Sequence, residues 1–219
     1  MLVGLSVVAT QAAPTTALAA RSPDPAEFRV IRLPMTTAEE LPPLSRHALI
    51  AEASAIWRDS RIRLEWLNGV APAAPHSTLR VLIAARTVTS GTDAARWTVG
   101  ELLRFKSVSP VAIASIAGAE RIVAENERFQ LIDFPIPRDQ RLGVILGRAL
   151  AHEIGHYLLH TNTHAPDGLM RASIDAQEFA DVRFGAFRLD RVAKAHLAAL
   201  ASQGLSSAST VGDRGFSYR

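Results

Sequence analysis

The 219-residue chain contains no cysteine. That excludes a disulfide framework, a thiolate metal site and any latency switch built on a cysteine. A metal, if there is one, must be held by histidine and carboxylate. Lysine is nearly missing too. Only Lys106 and Lys194 are present, so the net charge of +3 is an arginine excess. The arginines are scattered through the expected elements and form no patch, which argues against a nucleic-acid partner. The only tyrosines are Tyr157 and Tyr218, and neither suggests itself as a catalytic donor. Long apolar runs are absent as well. Residues 1–20 are small and apolar, but Gln11 and Pro14 interrupt them, and a spanning helix needs about 20 apolar residues.

Those first residues read as a possible signal peptide, with Leu2 to Ala9 as its apolar region and Ala17-Leu18-Ala19 as its cleavage site, lacking only the positive start. A secreted or periplasmic bacterial protein is therefore expected. Hydrophobic residues make up 48% of the chain, enough for a sizeable core. The length suits a single domain over 21–201, with an N-terminal lobe (21–160) and a C-terminal lobe (161–201). Residues 202–219 are rich in Ser and Gly and are expected to form a disordered tail. A monomer is expected.

Periodicity supplies the elements. Residues 21–27 read as linker, Phe28 to Leu33 as a strand, and Leu44 to Asp59 as a helix with Ser45 as N-cap. Arg61 to Leu67 alternates charge with Ile62, Leu64 and Trp66, the pattern of a half-buried strand. Asn68-Gly69 marks a turn, and Thr78 to Ala85 and Pro110 to Ala117 are apolar strands, the latter bounded by Gly118. Trp97 to Arg104 is ambiguous, Glu120 to Glu127 is a short helix or a loop, and Phe129 to Phe134 a last short strand. A long helix follows over Arg138 to His160, with Asp139 as N-cap. Its small residues Gly143, Gly147, Ala151 and Gly155 recur every fourth position. Each glycine costs a helix about 1 kcal/mol, so this one must be held by another backbone packed closely against that stripe. Two shorter helices are expected after Asp175 (Ala176 to Phe184) and after the N-cap Asp190 (Arg191 to Ala201).

The long helix contains His152-Glu153-Ile154-Gly155-His156. Positions i and i+4 share a helix face, so both imidazoles can reach one metal ion, and Glu153 can act as a general base beside it. A catalytic zinc usually takes a third protein ligand. His160 extends the i, i+4 series but lies about 12 Å along the axis from His152. His164 falls beyond the helix end, where Asn162 and neighbouring threonines allow a turn back. Glu178 lies further on, three residues after Asp175 as in a capping box.

The stretch HEIGHYLLHTNTHAPDGLM resembles the metzincin zinc peptidases, most of all their matrixin-type members, which read H-E-x-x-H-x-x-G-x-x-H followed by a methionine turn. It is also similar to uncharacterised bacterial proteins of this type. The likeness covers roughly Ala151 to Arg171 and weakens towards Leu189. It implies His152, His156 and His164 as zinc ligands, Glu153 as catalytic base and Met170 as the methionine beneath the metal. It also implies a zincin-like α+β fold: a twisted mixed sheet with two long helices, then a small helical lobe. Two positions depart from the pattern. Leu159 stands where the helix-ending glycine is expected, and Asn162 where the third histidine is expected. Another half-turn of helix before the bend would absorb both differences. The expected function is a zinc-dependent endopeptidase acting on a peptide or protein substrate. In such folds an edge strand pairs with extended substrate, and Val111 to Ala117 is the candidate, with a fully paired interior position as its alternative. A glutamate-ligand peptidase using Glu178, or a non-catalytic zinc-stabilised binding protein closed by His160 or Asp167, are the rival expectations.

Overall fold

The computed structural model describes residues 28–69, 78–86, 98–129, 136–181 and 187–207. The expected signal segment and linker, the loop at 71–75, the turn at 87–93 and the end of the tail lie outside them. The elements are β1 (Arg29–Thr37), α1 (Pro43–Arg58), β2 (Ile62–Asn68), β3 (Arg80–Ala84), β4 (Gly100–Leu103), β5 (Val111–Ser115), α2 (Ile116–Phe129), α3 (Arg138–Leu158), α4 (Ala176–Ala180) and α5 (Arg191–Ser207). They build a mixed α/β domain around a five-stranded sheet of order β2-β1-β3-β5-β4, in which only β4 runs antiparallel to its neighbour.

Strand alternation sets the two faces of the sheet. Leu33, Met35, Ile62, Leu64, Val81, Ile83, Ala112 and Ala114 enter the core. Arg32 and Glu65, paired across β1 and β2, carry an exposed salt bridge on the other face. β1 runs four residues past its expected end and includes Pro34. Proline lacks an N–H, but the ladder to β3 begins only at Met35, so β1 has a single neighbour at Pro34.

Helices α1 and α3 pack against each other over the sheet, and the small-residue stripe is where they meet. A Cβ built on Gly143 would lie 2.2 Å from the Ser45 carbonyl oxygen, and one on Gly147 would lie 2.7 Å from that of Leu49. This is the close backbone approach that the helical glycines require. Buried Trp57 of α1 adds a hydrogen bond from its indole N–H to the Ala151 carbonyl (3.2 Å).

Several local expectations are corrected. Ser45 does not cap α1, which opens with Pro42 and Pro43; its hydroxyl donates instead to the Asp139 carbonyl (2.8 Å). Asp139 lies in the first turn of α3, whose N-cap is Pro137. Gly118 does not bound a strand but sits inside α2, which also takes in Phe129; residues 130–135 lie outside the described set. Val111 to Ala117 is not an edge: β5 is paired on both sides, and the ambiguous stretch 97–104 supplies the edge strand β4. α5 continues to Ser207, past its expected end at Ala201 and into the expected tail. The Asp190 cap holds, accepting from the Ala193 N–H (2.6 Å). Among the described residues no helix is long and apolar enough to cross a membrane.

Candidate metal centre

Helix α3 ends at Leu158, not His160, and its ending explains the missing glycine. His160 adopts φ 50°, the left-handed conformation usual for glycine after a helix. The His160 N–H donates to Tyr157 O and the Thr161 N–H to His156 O, each at 3.3 Å. These are the paired bonds of a Schellman ending. The left-handed residue is thus one place later than the family pattern puts it, and it is a histidine. His160 is exposed and spent on the turn.

The chain then doubles back as a hook over 161–171. The Ala165 N–H donates to Met170 O (2.8 Å), and Ala165 bridges Arg171. Met170 is buried against α3, where a Cβ on Gly155 would meet its sulfur at 2.3 Å. The last glycine of the stripe therefore seats the methionine. Gly168, at φ 72°, fits against the Arg188 carbonyl, which also accepts from the Leu169 N–H (2.8 Å).

This hook brings His164 onto the helical pair. One ring nitrogen each from His152, His156 and His164 lies within 4.8 Å of the others. The two helical rings are oriented by the hook's own carbonyls: His152 Nδ1 meets Leu169 O at 2.8 Å and His156 Nδ1 meets Thr161 O at 2.9 Å. A carbonyl can only accept, so each Nδ1 carries the proton and each neutral ring turns a lone pair outward at Nε2. Those two Nε2 atoms face each other at 3.0 Å. Two lone pairs at that distance repel unless a cation lies between them. A proton is disfavoured there, because burial, against the pull of the Leu169 carbonyl, holds His152 down at about 4 from its ordinary 6.5. Burial also lowers His156. Nitrogens on a tetrahedral zinc stand about 3.3 Å apart, given zinc–nitrogen bonds of about 2.0 Å. The residues thus fit a zinc ion in donor type, tautomer and spacing.

Glu153 is buried on the same cleft, at 7% exposure. Burial first, and then the nearby Glu101, raise its carboxyl to about 8, opposed by Arg104. A dication beside it would favour the carboxylate again. Strand β4 crosses so near that a Cβ on Gly100 would stand 2.8 Å from Glu153 Oε1. The cleft, about 520 Å³, runs from Gly100 and Glu101 over the histidines to Arg171 and Ile174.

Glu178 does not join the three histidines among the described residues. Its carboxylate pairs with Arg171 at 2.8 Å, and the N-cap bond of α4 runs from the Gln177 N–H to Asp175 (2.8 Å). Asp167 is exposed and also outside the group. Sequence reasoning missed two arginines. Arg148, fully buried one turn before His152, bonds Glu52 (2.7 Å) and the carbonyls of Glu178 and Phe179 (3.2 and 2.9 Å), and stacks on Phe187. It ties α4 to the helix pair. Its signal was a lone charge in an otherwise apolar helical run. Arg104, past the end of β4, bonds the His156 carbonyl (2.6 Å) and Asn162, fastening the end of α3 to the hook.

No family model matches the chain, and no curated protein does. Among solved structures it is similar to archaemetzincin from Methanopyrus kandleri, with a TM-score of 0.49 and 13% identity over 82% of this chain and 98% of that one. It is also similar to a chain of the GM1-bound ECX AB5 holotoxin, with a TM-score of 0.42 and 14% identity over 75% and 74% of the two chains. Neither likeness carries a functional argument; the side-chain geometry must.

Proposed function

We propose that this chain is a zinc-dependent metalloendopeptidase of metzincin-like type, with His152, His156 and His164 as ligands and Glu153 as general base. The observation that carries the reading is the facing pair of Nε2 lone pairs, joined by His164, beside a buried carboxyl on an open cleft. A zinc ion held there would lower the pKa of water towards about 7 and polarise a carbonyl oxygen. Three neutral imidazoles leave the ion its full positive charge.

Glu153 takes a proton from the attacking water and delivers it to the leaving amine. Gly100 lets β4 lie against Glu153, so the carboxyl is held from both sides. Among the described residues β4 is the last strand of the sheet, lying against Glu153, and an extended peptide would bind along it as an added strand. An edge strand that runs past the base fits cleavage within a chain. Met170 would anchor the hook that carries His164, its sulfur packed onto α3 at Gly155. Tyr157 does not line the cleft, and no oxyanion donor is assigned.

Zinc-loaded protein should cleave members of a peptide library and stop when a chelator is added. The Glu153→Gln variant should keep its zinc and lose cleavage. A fully active Glu153→Gln variant would remove Glu153 from the mechanism, and zinc binding with no cleavage of any peptide would leave a zinc-stabilised binding protein.

A further inference from the structure

A second cavity, about 340 Å³, opens at the C-terminal end of α1, between the α1–β2 turn and α5, and shares no lining residue with the metal-binding cleft. Its lining carries three cations, Arg29, Arg61 and Lys194, none of them in an ion pair among the described residues. The one acid in the lining, Asp59, is already held by Arg188 at 3.0 Å. Like charges gathered at one concave site raise its potential and call for an anion.

Two independent features mark the same place. The Ser60 hydroxyl is buried with no hydrogen-bond partner, although buried polar groups are normally satisfied. Arg61 sits at φ 57°. The turn needs a left-handed residue there: Arg61 N–H donates to Arg58 O and Arg61 O accepts from Arg29 N–H, both at 3.0 Å. Glycine or asparagine would meet that need without strain. Arginine meets it while setting a guanidinium on the rim, beside Arg29. The floor is different in kind, built from buried Ile62 and Leu197 with alanines of α5.

We propose that this cavity is a binding site for a small amphipathic anion, a carboxylate or phosphate group on a short apolar chain. The head group would take charge-assisted hydrogen bonds from Arg29, Arg61 and Lys194, and the chain would lie on Ile62 and Leu197. The cavity and the histidine cleft have no lining residue in common, and binding here does not depend on a metal.

Titrating the full chain with hexanoate and hexyl phosphate, followed by calorimetry, tests this. Acetate and inorganic phosphate serve as head-group controls. Saturable binding is expected for at least one hexyl ligand, at least tenfold tighter than for its control, since each buried methylene contributes about 0.8 kcal/mol. The Arg61→Gly variant relieves the turn and should fold at least as well, yet lose at least tenfold in affinity. Lys194→Gln should weaken binding severalfold. Chelator should leave it unchanged. The proposal is overturned if neither hexyl ligand saturates, if the controls bind as tightly, if Arg61→Gly binds as well as the parent, or if chelator abolishes binding and so places the ligand on the metal.

Discussion

The helix and the hook build the three-histidine cluster by different means. His152 and His156 stand on a 21-residue helix locked by a buried glycine stripe against α1. His164 stands, exposed, on a hook of few internal bonds. Yet the two are mutually dependent. The hook's carbonyls at Thr161 and Leu169 orient the helical rings, and those rings are the hook's main polar contacts with the helix. Rigid packing sets where the two helical histidines are, and the hook sets which nitrogen they present.

Breaking the helical side should have the largest effect. His152→Ala or His156→Ala removes a ligand and strips the hook of an anchor, so stoichiometric zinc should be lost, together with protection of the 161–171 amides in hydrogen exchange. His164→Ala should lose zinc affinity while the amide protection of α3 persists. If His164→Ala instead unfolds α3, the division between the two regions is wrong. Glu153→Gln leaves both regions intact and should slow peptide cleavage by about 10²–10⁴-fold, the range for a general acid–base residue.

Met170→Ala attacks the contact between hook and helix, and should cost about 2–5 kcal/mol in denaturant unfolding, as buried methionine truncations do. A loss near zero would mean that the hook is held by its hydrogen bonds alone.

In metal-free protein, acidity should act through the buried groups of the site, with opposite signs for the histidines and for Glu153. His152 sits below its ordinary value, so its contribution to stability is present above about 6.5 and is lost as pH falls towards about 4. Glu153 sits above its ordinary value, so its contribution is present below about 4.5 and is lost as pH rises through about 8. Thermal unfolding of metal-free Glu153→Gln should therefore lack the fall on the alkaline side, and zinc should remove that fall from the parent. The smallest effect is at the junction of the two regions. His160→Gly should stabilise the fold by something on the order of 1 kcal/mol by relieving a left-handed residue, with zinc affinity unchanged.

Much of this was legible in the sequence. The small-residue stripe required another backbone close by, from a sheet or a second helix, and α1 is that partner. The i, i+4 histidines and Glu153 share a face because α-helical geometry leaves little choice. His164 could be preferred to His160 and Glu178 only through the likeness of its motif, because the turn that returns it depends on His160 accepting a left-handed conformation. Residue type does not announce that: Leu159 and His160 both look like continued helix. The edge strand was misplaced because an apolar run such as Val111–Ser115 reads alike whether one or both of its sides are paired. Carbonyl partners such as Thr161 and Leu169 carry no side-chain signature at all.

The most direct test is X-ray absorption at the zinc edge on stoichiometrically loaded protein, compared with His164→Ala. The account predicts three imidazole nitrogens at about 2.0 Å with one further light-atom ligand from solvent, and loss of one imidazole in the variant. A spectrum with two imidazoles and a carboxylate, or one unchanged by His164→Ala, would contradict it.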